Sequence, residues 1–134
     1  MTPPHEQLHP QSWKKPKGFA NGIAAEGRLV FLAGQIGWNA EQTFESTDFV
    51  AQARQALANI VALVAEAGGE PEHITRLTWF VTDKKEYLAR LSELGAAYRS
   101  VMGKHFPTMT LVQVVALVED LAKVEIEATA VVPA

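Results

Sequence analysis

The stretch Ala122–Val132, AKVEIEATAVV, alternates as a β-strand with one covered face does. Val124, Ile126, Ala128, Ala130 and Val132 fall on one side, while Lys123, Glu125, Glu127 and Thr129 fall on the other. Just upstream, Thr108–Leu117 predicts another strand, with Val118–Leu121 (VEDL) as the connection. A third, Ile74–Thr82 (ITRLTWFVT), is dense in β-branched and aromatic residues and sets Leu77, Trp79 and Val81 against Arg76, Thr78, Phe80 and Thr82. An apolar sheet face has to be covered, and two amphipathic segments are available to cover it. From Thr47 onward Val50, Ala53, Leu57, Ile60, Val64 and Ala67 recur at steps of three and four, until Gly68-Gly69 stops the pattern. Asp83 followed by Glu86 resembles a capping box, and Tyr87, Leu91, Leu94, Tyr98 and Val101 then predict one further helix ending near Gly103, with Pro107 forbidding continuation.

Ahead of the first helix, Gly18–Ala25 and Leu29–Ala33 flank Glu26-Gly27-Arg28, which predicts a β-hairpin because Gly27 tolerates a positive φ. The segment Gly34–Glu45 (GQIGWNAEQTFE) has no periodicity and predicts a shaped surface loop. The predicted order is ββαβαββ, an α+β domain with both helices packed on one face of a mostly β sheet. Residues 1–17, polar and carrying Pro3, Pro4 and Pro10, predict a loosely held arm; residues 18–134 form a single domain.

Composition narrows the chemistry. With 48% hydrophobic and 20% charged residues over 134 positions, the chain has the make-up of one globular domain. Cysteine is absent, which excludes disulfides, thiolate metal sites and a cysteine nucleophile, and fits a cytoplasmic setting. Met1–Trp13 lacks the basic and apolar regions of a secretory signal, and no apolar run approaches the roughly 20 residues that cross a bilayer, so no membrane partner is expected. A net charge of -3 argues against a nucleic-acid partner. Dinucleotide, nucleotide-hydrolysis, serine-hydrolase and zincin motifs are all missing.

Several residues remain as candidates. Glu125 and Glu127 are two apart on one strand and share a face, a pairing that suits general-base work but equally describes a solvated face beside Lys123. His105, at a corner before Phe106-Pro107, either reaches a cleft or packs the corner; His5, His9 and His73 lack metal-ligand spacing, so no metal site is expected. Trp38 is an aromatic wall or a subunit contact, whereas Trp79 reads as core. Gly34 and Gly37 either admit a ligand close to the backbone or serve the turn.

Three phrases, Leu32–Ile36 (LAGQI), Gln52–Ile60 (QARQALANI) and Val124–Val131 (VEIEATAV), resemble signatures of the Rid (reactive intermediate deaminase, YjgF) family in order and spacing. Ile74–Thr78 (ITRLT) before Val81–Asp83 (VTD) is similar to the family's central strand and turn. The resemblance implies a chorismate-mutase-like fold and a homotrimer whose sheets form a central barrel, with small-molecule sites in the clefts between subunits. It also implies hydrolysis of enamines and imines without metal or organic cofactor. Glu125 matches the family's water-activating glutamate, leaving Glu127 the more structural of the pair.

Departures from the family pattern qualify that picture. Phe106-Pro107-Thr108-Met109 stands where the archetype reads Phe-Pro-Ala-Arg, so a thioether replaces the guanidinium that would clamp a substrate carboxylate. Lys17-Gly18-Phe19 replaces a Gly-Pro-Tyr segment, Gly95 an asparagine, and Ala33 a small hydroxyl residue. The expected substrate-binding set is Phe19, Ala33, Gly34, Gln35 and Trp38 from the first part of the chain, with His105, Met109 and Thr110 from the last. Two readings follow: a deaminase for an imine or enamine bulkier or less anionic than 2-aminoacrylate, with Phe19, Trp38 and Met109 as an apolar wall, or a trimer that binds a small molecule without catalysis. The ribonuclease label attached to some relatives fits poorly, since the chain has no cluster of basic residues.

Overall fold

The computed structural model describes residues 5–134. In chain order it contains β1 (Glu6–Leu8), β2 (Gly22–Ala24), β3 (Arg28–Ile36), α1 (Phe49–Glu66), a short 3₁₀ turn (Pro71–His73), β4 (Ile74–Val81), α2 (Lys84–Ala89), α3 (Leu91–Met102), β5 (Thr108–Gln113) and β6 (Val124–Val132). Four strands form one sheet in the order β3-β6-β4-β5, antiparallel except for the parallel β4–β5 pair. The alternation read in Ala122–Val132 is realised: Val124, Ile126, Ala128 and Ala130 are buried under the helices, with Leu57, Ile60 and Val64 of α1 and Leu77, Trp79 and Val81 of β4. Both expected helical regions lie on that side, and the other face of the sheet is uncovered. The barrel implied by the resemblance is not formed within one chain, because β3 and β5 remain open edges.

Helix α1 starts where Asp48 accepts a hydrogen bond from Ala51 N at 3.0 Å and ends at Ala67, with Gly68 at φ 78°. The Asp48 carboxylate is also held by Arg90 at 2.6 Å, and this guanidinium keeps it below the usual carboxylate range. Arg90 accounts for a departure from expectation: one helix was predicted after Asp83, but the chain breaks at Arg90 (φ -123°, ψ 30°) into α2 and α3. The guanidinium spans Asp48 on α1 and Glu93 on α3, so tertiary ion pairs hold the break. Asp83 caps α2 by accepting from Lys85 N and Glu86 N.

The predicted hairpin does not form. β2 pairs with β1, whereas β3 pairs with β6 from the other end of the chain. Gly27 is needed for a different reason: a Cβ there would come within 2.3 Å of Val132 O, where β3 begins beside the end of β6. Much of the expected arm is consequently part of the fold. Glu6–Leu8 pairs with Gly22–Ala24, His5 Nε2–H donates to His73 O at 3.3 Å, and His9 bridges Trp13 O and Asn21. The first four positions of that arm, including Pro3 and Pro4, lie outside the described residues. The strand predicted over Thr108–Leu117 stops at Gln113, because its partner β4 ends at Val81 and leaves nothing further to pair with. Among the described residues no helix is long and apolar enough to cross a membrane.

Candidate functional site

Glu125 lies on the uncovered side of β6, opposite Phe80 of β4. On its other flank the β3–β6 register shifts between Leu32 and Gln35, a bulge that brings Gly34 against the glutamate. A Cβ at position 34 would lie 2.0 Å from Glu125 Oε2, so the carboxylate rests on a surface that only glycine leaves free. Glu125 is half-buried and its carboxylate makes no hydrogen bond among the described residues, which leaves its lone pairs available for water. Glu127, two residues on, is exposed. Ala33 is exposed, and the Gln35 amide turns back to donate to Ala33 O at 3.1 Å.

The strand carrying Glu125 is positioned from α1. Gln52 is buried; its amide donates to Ser46 O at 3.1 Å and Leu121 O at 2.9 Å, while its Oε1 accepts from Lys123 N at 2.8 Å. All of its hydrogen-bonding groups but one lone pair are thereby used, tying the helix to the start of β6. Gly37 permits this, since a Cβ there would lie 2.5 Å from Gln52 Cβ. Asn59, oriented by Gln55 at 2.8 Å, donates to Trp38 O at 2.9 Å and holds the loop after β3. Trp38 itself packs on Phe44 with ring centroids 5.9 Å apart. The apolar stripe alone missed Gln52; a glutamine beside Ala53 and Ala56, on the buried side of a helix, is the signal that could have found it.

Met109, Phe19 and Thr110 meet elsewhere. They line a groove of about 520 Å³ together with Asn21, Thr108 and Arg76, the one charged side chain in its wall. Phe19 reaches this place because Ala20 N donates to Pro107 O at 3.0 Å and Ala20 bridges Thr108, which extends the sheet edge. Met109 pairs in register with buried Leu77 and packs towards the core, so it faces the side of the sheet opposite to Glu125. Their register partners on β4, Leu77 and Phe80, are three residues apart, about 10 Å at the usual strand rise. Within one chain, then, the candidate base and the candidate apolar wall do not share a site.

His105 is half-buried, and its Nε2–H donates to Ile74 O at 2.7 Å. Burial lowers its pKa, a backbone hydrogen bond to Ile74 opposes that, and the nearby His5 and His73 add to the lowering. His105 is therefore tethered at its corner, with burial favouring its neutral form. Histidines that look scattered in the sequence come together here, around the His73–Ile74 backbone. No group of metal-ligating side chains forms among the described residues.

Met109 also borders a second, smaller recess of about 130 Å³, behind the groove and under α2 and α3. Its walls include Trp79, Tyr98 and Phe106. Trp79 is core, as expected, yet its buried Nε1 has no hydrogen-bond partner among the described residues. Gly95 opens onto the same recess from the middle of α3, where glycine costs about 1 kcal/mol relative to alanine.

The molecule is thus an α+β domain that shields one face of its sheet with helices and presents a glutamate, seated on a glycine bulge, on the other. The family model described as Endoribonuclease L-PSP matches residues 13–132. A RutC family protein of Pasteurella multocida is 35% identical over 105 residues, covering 78% of this chain and 81% of its own. The 2-iminobutanoate/2-iminopropanoate deaminase of Escherichia coli K12 is 35% identical over 108 residues, covering 78% and 80%. A crystal structure of a conserved Rid family protein from Yersinia pestis superposes with a TM-score of 0.85 at 28% identity, covering 96% of this chain and 99% of that one. The chain belongs to the Rid, or YjgF, family.

Proposed function

We propose that the protein hydrolyses a reactive imine or enamine to a carbonyl compound and ammonia, in a cleft that neighbouring copies of the chain build together. The observation that carries this reading is Glu125, a half-buried carboxylate free of hydrogen bonds among the described residues and seated on Gly34. Water adds its oxygen to the imine carbon while Glu125 takes a water proton and passes it to nitrogen; the hydroxyl proton of the resulting carbinolamine then moves to nitrogen as well, the C–N bond breaks, and ammonia leaves as the C=O bond forms. General-base assistance of this kind contributes about 10²–10⁴-fold. The chemistry needs no metal or organic cofactor. The deaminase name of the Escherichia coli relative supports the reaction class.

The assembly is a homotrimer. Its support is the separation of Glu125 from Met109 on opposite faces, so that a base from one copy meets the wall of the next, and an uncovered sheet face on which Leu29 and Phe31 are 61% and 75% exposed. Arg76, alone as a charge in the groove, takes the anionic end of the substrate in place of a cation at position 109. Phe19 and Met109 suit a substrate bulkier or less anionic than 2-aminoacrylate. Nucleic acid and membrane are not partners in this reading, and a cysteine-free chain of net charge -3 suits the cytoplasm.

The test is ammonia release from enzymatically generated imines, small and bulky, by the wild type and Glu125→Ala at equal protein concentration. Acceleration above the spontaneous rate, lost on substitution, supports the hydrolase. A flat response across the panel from a folded trimer rejects it in favour of a ligand-binding protein, the reading that the thioether at position 109 favours.

A further inference from the structure

A second groove shares Phe19 with the one at Arg76 and has the make-up of an anion site. It measures about 530 Å³, within the roughly 300–1,000 Å³ of small-molecule pockets, and lies along the segment that joins β1 to β2. On a chain with 15 acidic residues and 12 basic ones, the wall carries Lys15 and Lys104 and, among the described residues, no carboxylate. Lys15 stands before Pro16, which restricts its backbone to extended forms. Lys104 enters from the other side, just past Gly103 (φ 66°), where α3 ends. Neither lysine has an ion-pair partner among the described residues.

Trp13 is the independent observation. It is 58% exposed, yet its backbone is held at both polar groups: Trp13 N–H donates to Pro10 O at 2.9 Å, and Trp13 O accepts from His9 Nε2–H at 3.1 Å. His9 is in turn oriented by Asn21, whose amide donates to His9 Nδ1 at 3.3 Å. A network of hydrogen bonds thus fixes a ring that folding leaves largely uncovered. Leu8 and Phe19, 46% and 40% exposed, lie in the same wall, so the apolar surface is a patch and not a set of scattered side chains. His9 and His105, also in the wall, are committed to Trp13 O, Asn21 and Ile74 O, which leaves the lysines to answer an anion.

We infer that this groove binds a planar aromatic ring carrying a doubly charged anionic group, with the ring on Trp13 and the anion on Lys15 and Lys104. An aromatic platform beside flexible cations suits that class: stacking accepts any planar π-face, and a lysine meets an anion as a point charge. The site is independent of Glu125 and of the hydrolase reading. Leu8, Phe19 and Asn21 also belong to the wall of the groove at Arg76, so an occupant here sits back to back with whatever that groove holds.

The test uses the ¹⁵N-labelled full chain in low-salt buffer, with phenyl phosphate as the probe and with benzyl alcohol and inorganic phosphate as its two halves. Phenyl phosphate is expected to move the Trp13 Nε1–H resonance, assigned by its loss in Trp13→Phe, and to bind about 10-fold tighter than either half. Phthalate, with two carboxylates on its ring, separates a dicarboxylate ligand from a phosphate; binding of either through the lysines upholds the site. Lys15→Gln combined with Lys104→Gln, both exposed positions, should keep the thermal midpoint, weaken phenyl phosphate about 10-fold and leave benzyl alcohol unaffected. Raising the salt to about 1 M, where screening acts beyond about 3 Å, should weaken the wild type to the same degree. An unmoved Trp13 resonance, phenyl phosphate bound no tighter than either half, or a double variant that binds it as the wild type does overturns the inference.

Discussion

Replacing Gly34 by alanine tests the site most directly, because it leaves every titratable group in place and moves only one. The added Cβ would stand 2.0 Å from Glu125 Oε2 and 2.8 Å from its carboxyl carbon, where ordinary contact begins at 3.4 Å. The carboxylate has to retreat by more than an ångström. Its stem is a flexible chain of single bonds that can swing aside, so the cost to folding is small. Catalytic geometry is less forgiving: a displacement of about 1 Å costs roughly 100-fold. Gly34→Ala should therefore lose about 100-fold in kcat for ammonia release, approaching Glu125→Ala, while its urea midpoint shifts little. Because both substitutions act through one carboxylate, the double variant should be no slower than Glu125→Ala alone. Wild-type kcat in folded Gly34→Ala, or losses that multiply in the double variant, would refute the placement of Glu125 as the base.

Other consequences can be checked on the same preparation. Gln52→Leu strands Lys123 N, Ser46 O and Leu121 O, and should lower stability by about 3 kcal/mol in urea unfolding; a loss within experimental error would show that water replaces the amide. His105 has a folded pKa below its unfolded value, so the stability it contributes is complete above about pH 6.5 and is lost as pH falls through the folded value. The urea midpoint should thus drop between pH 7.5 and 5, and His105→Gln should flatten that slope. Phe31→Glu places a charge on the uncovered sheet and should convert the proposed trimer into smaller species by light scattering; an unchanged mass would remove this face from the interface.

The sequence by itself determined the main helices and sheet strands, which of their residues face the core, and the family. Period-two alternation in Ala122–Val132 and the three-and-four stripe from Val50 to Val64 are local consequences of backbone geometry, legible without neighbours. They also placed Glu125 on the opposite face from Val124 and Ile126. Tertiary structure decided the partners. Strand adjacency is settled by hydrogen bonds between distant segments, so nothing local could tell that β3 would pair with β6 rather than β2, or that Glu6–Leu8 would join β2. The bulge that seats Glu125 on Gly34, the opposite facing of Met109, the Arg90 break between α2 and α3, and the empty recess beside Gly95 all arise where two or more elements meet. Periodicity assigns a residue to a side; only packing assigns it a neighbour, and the site is made of neighbours.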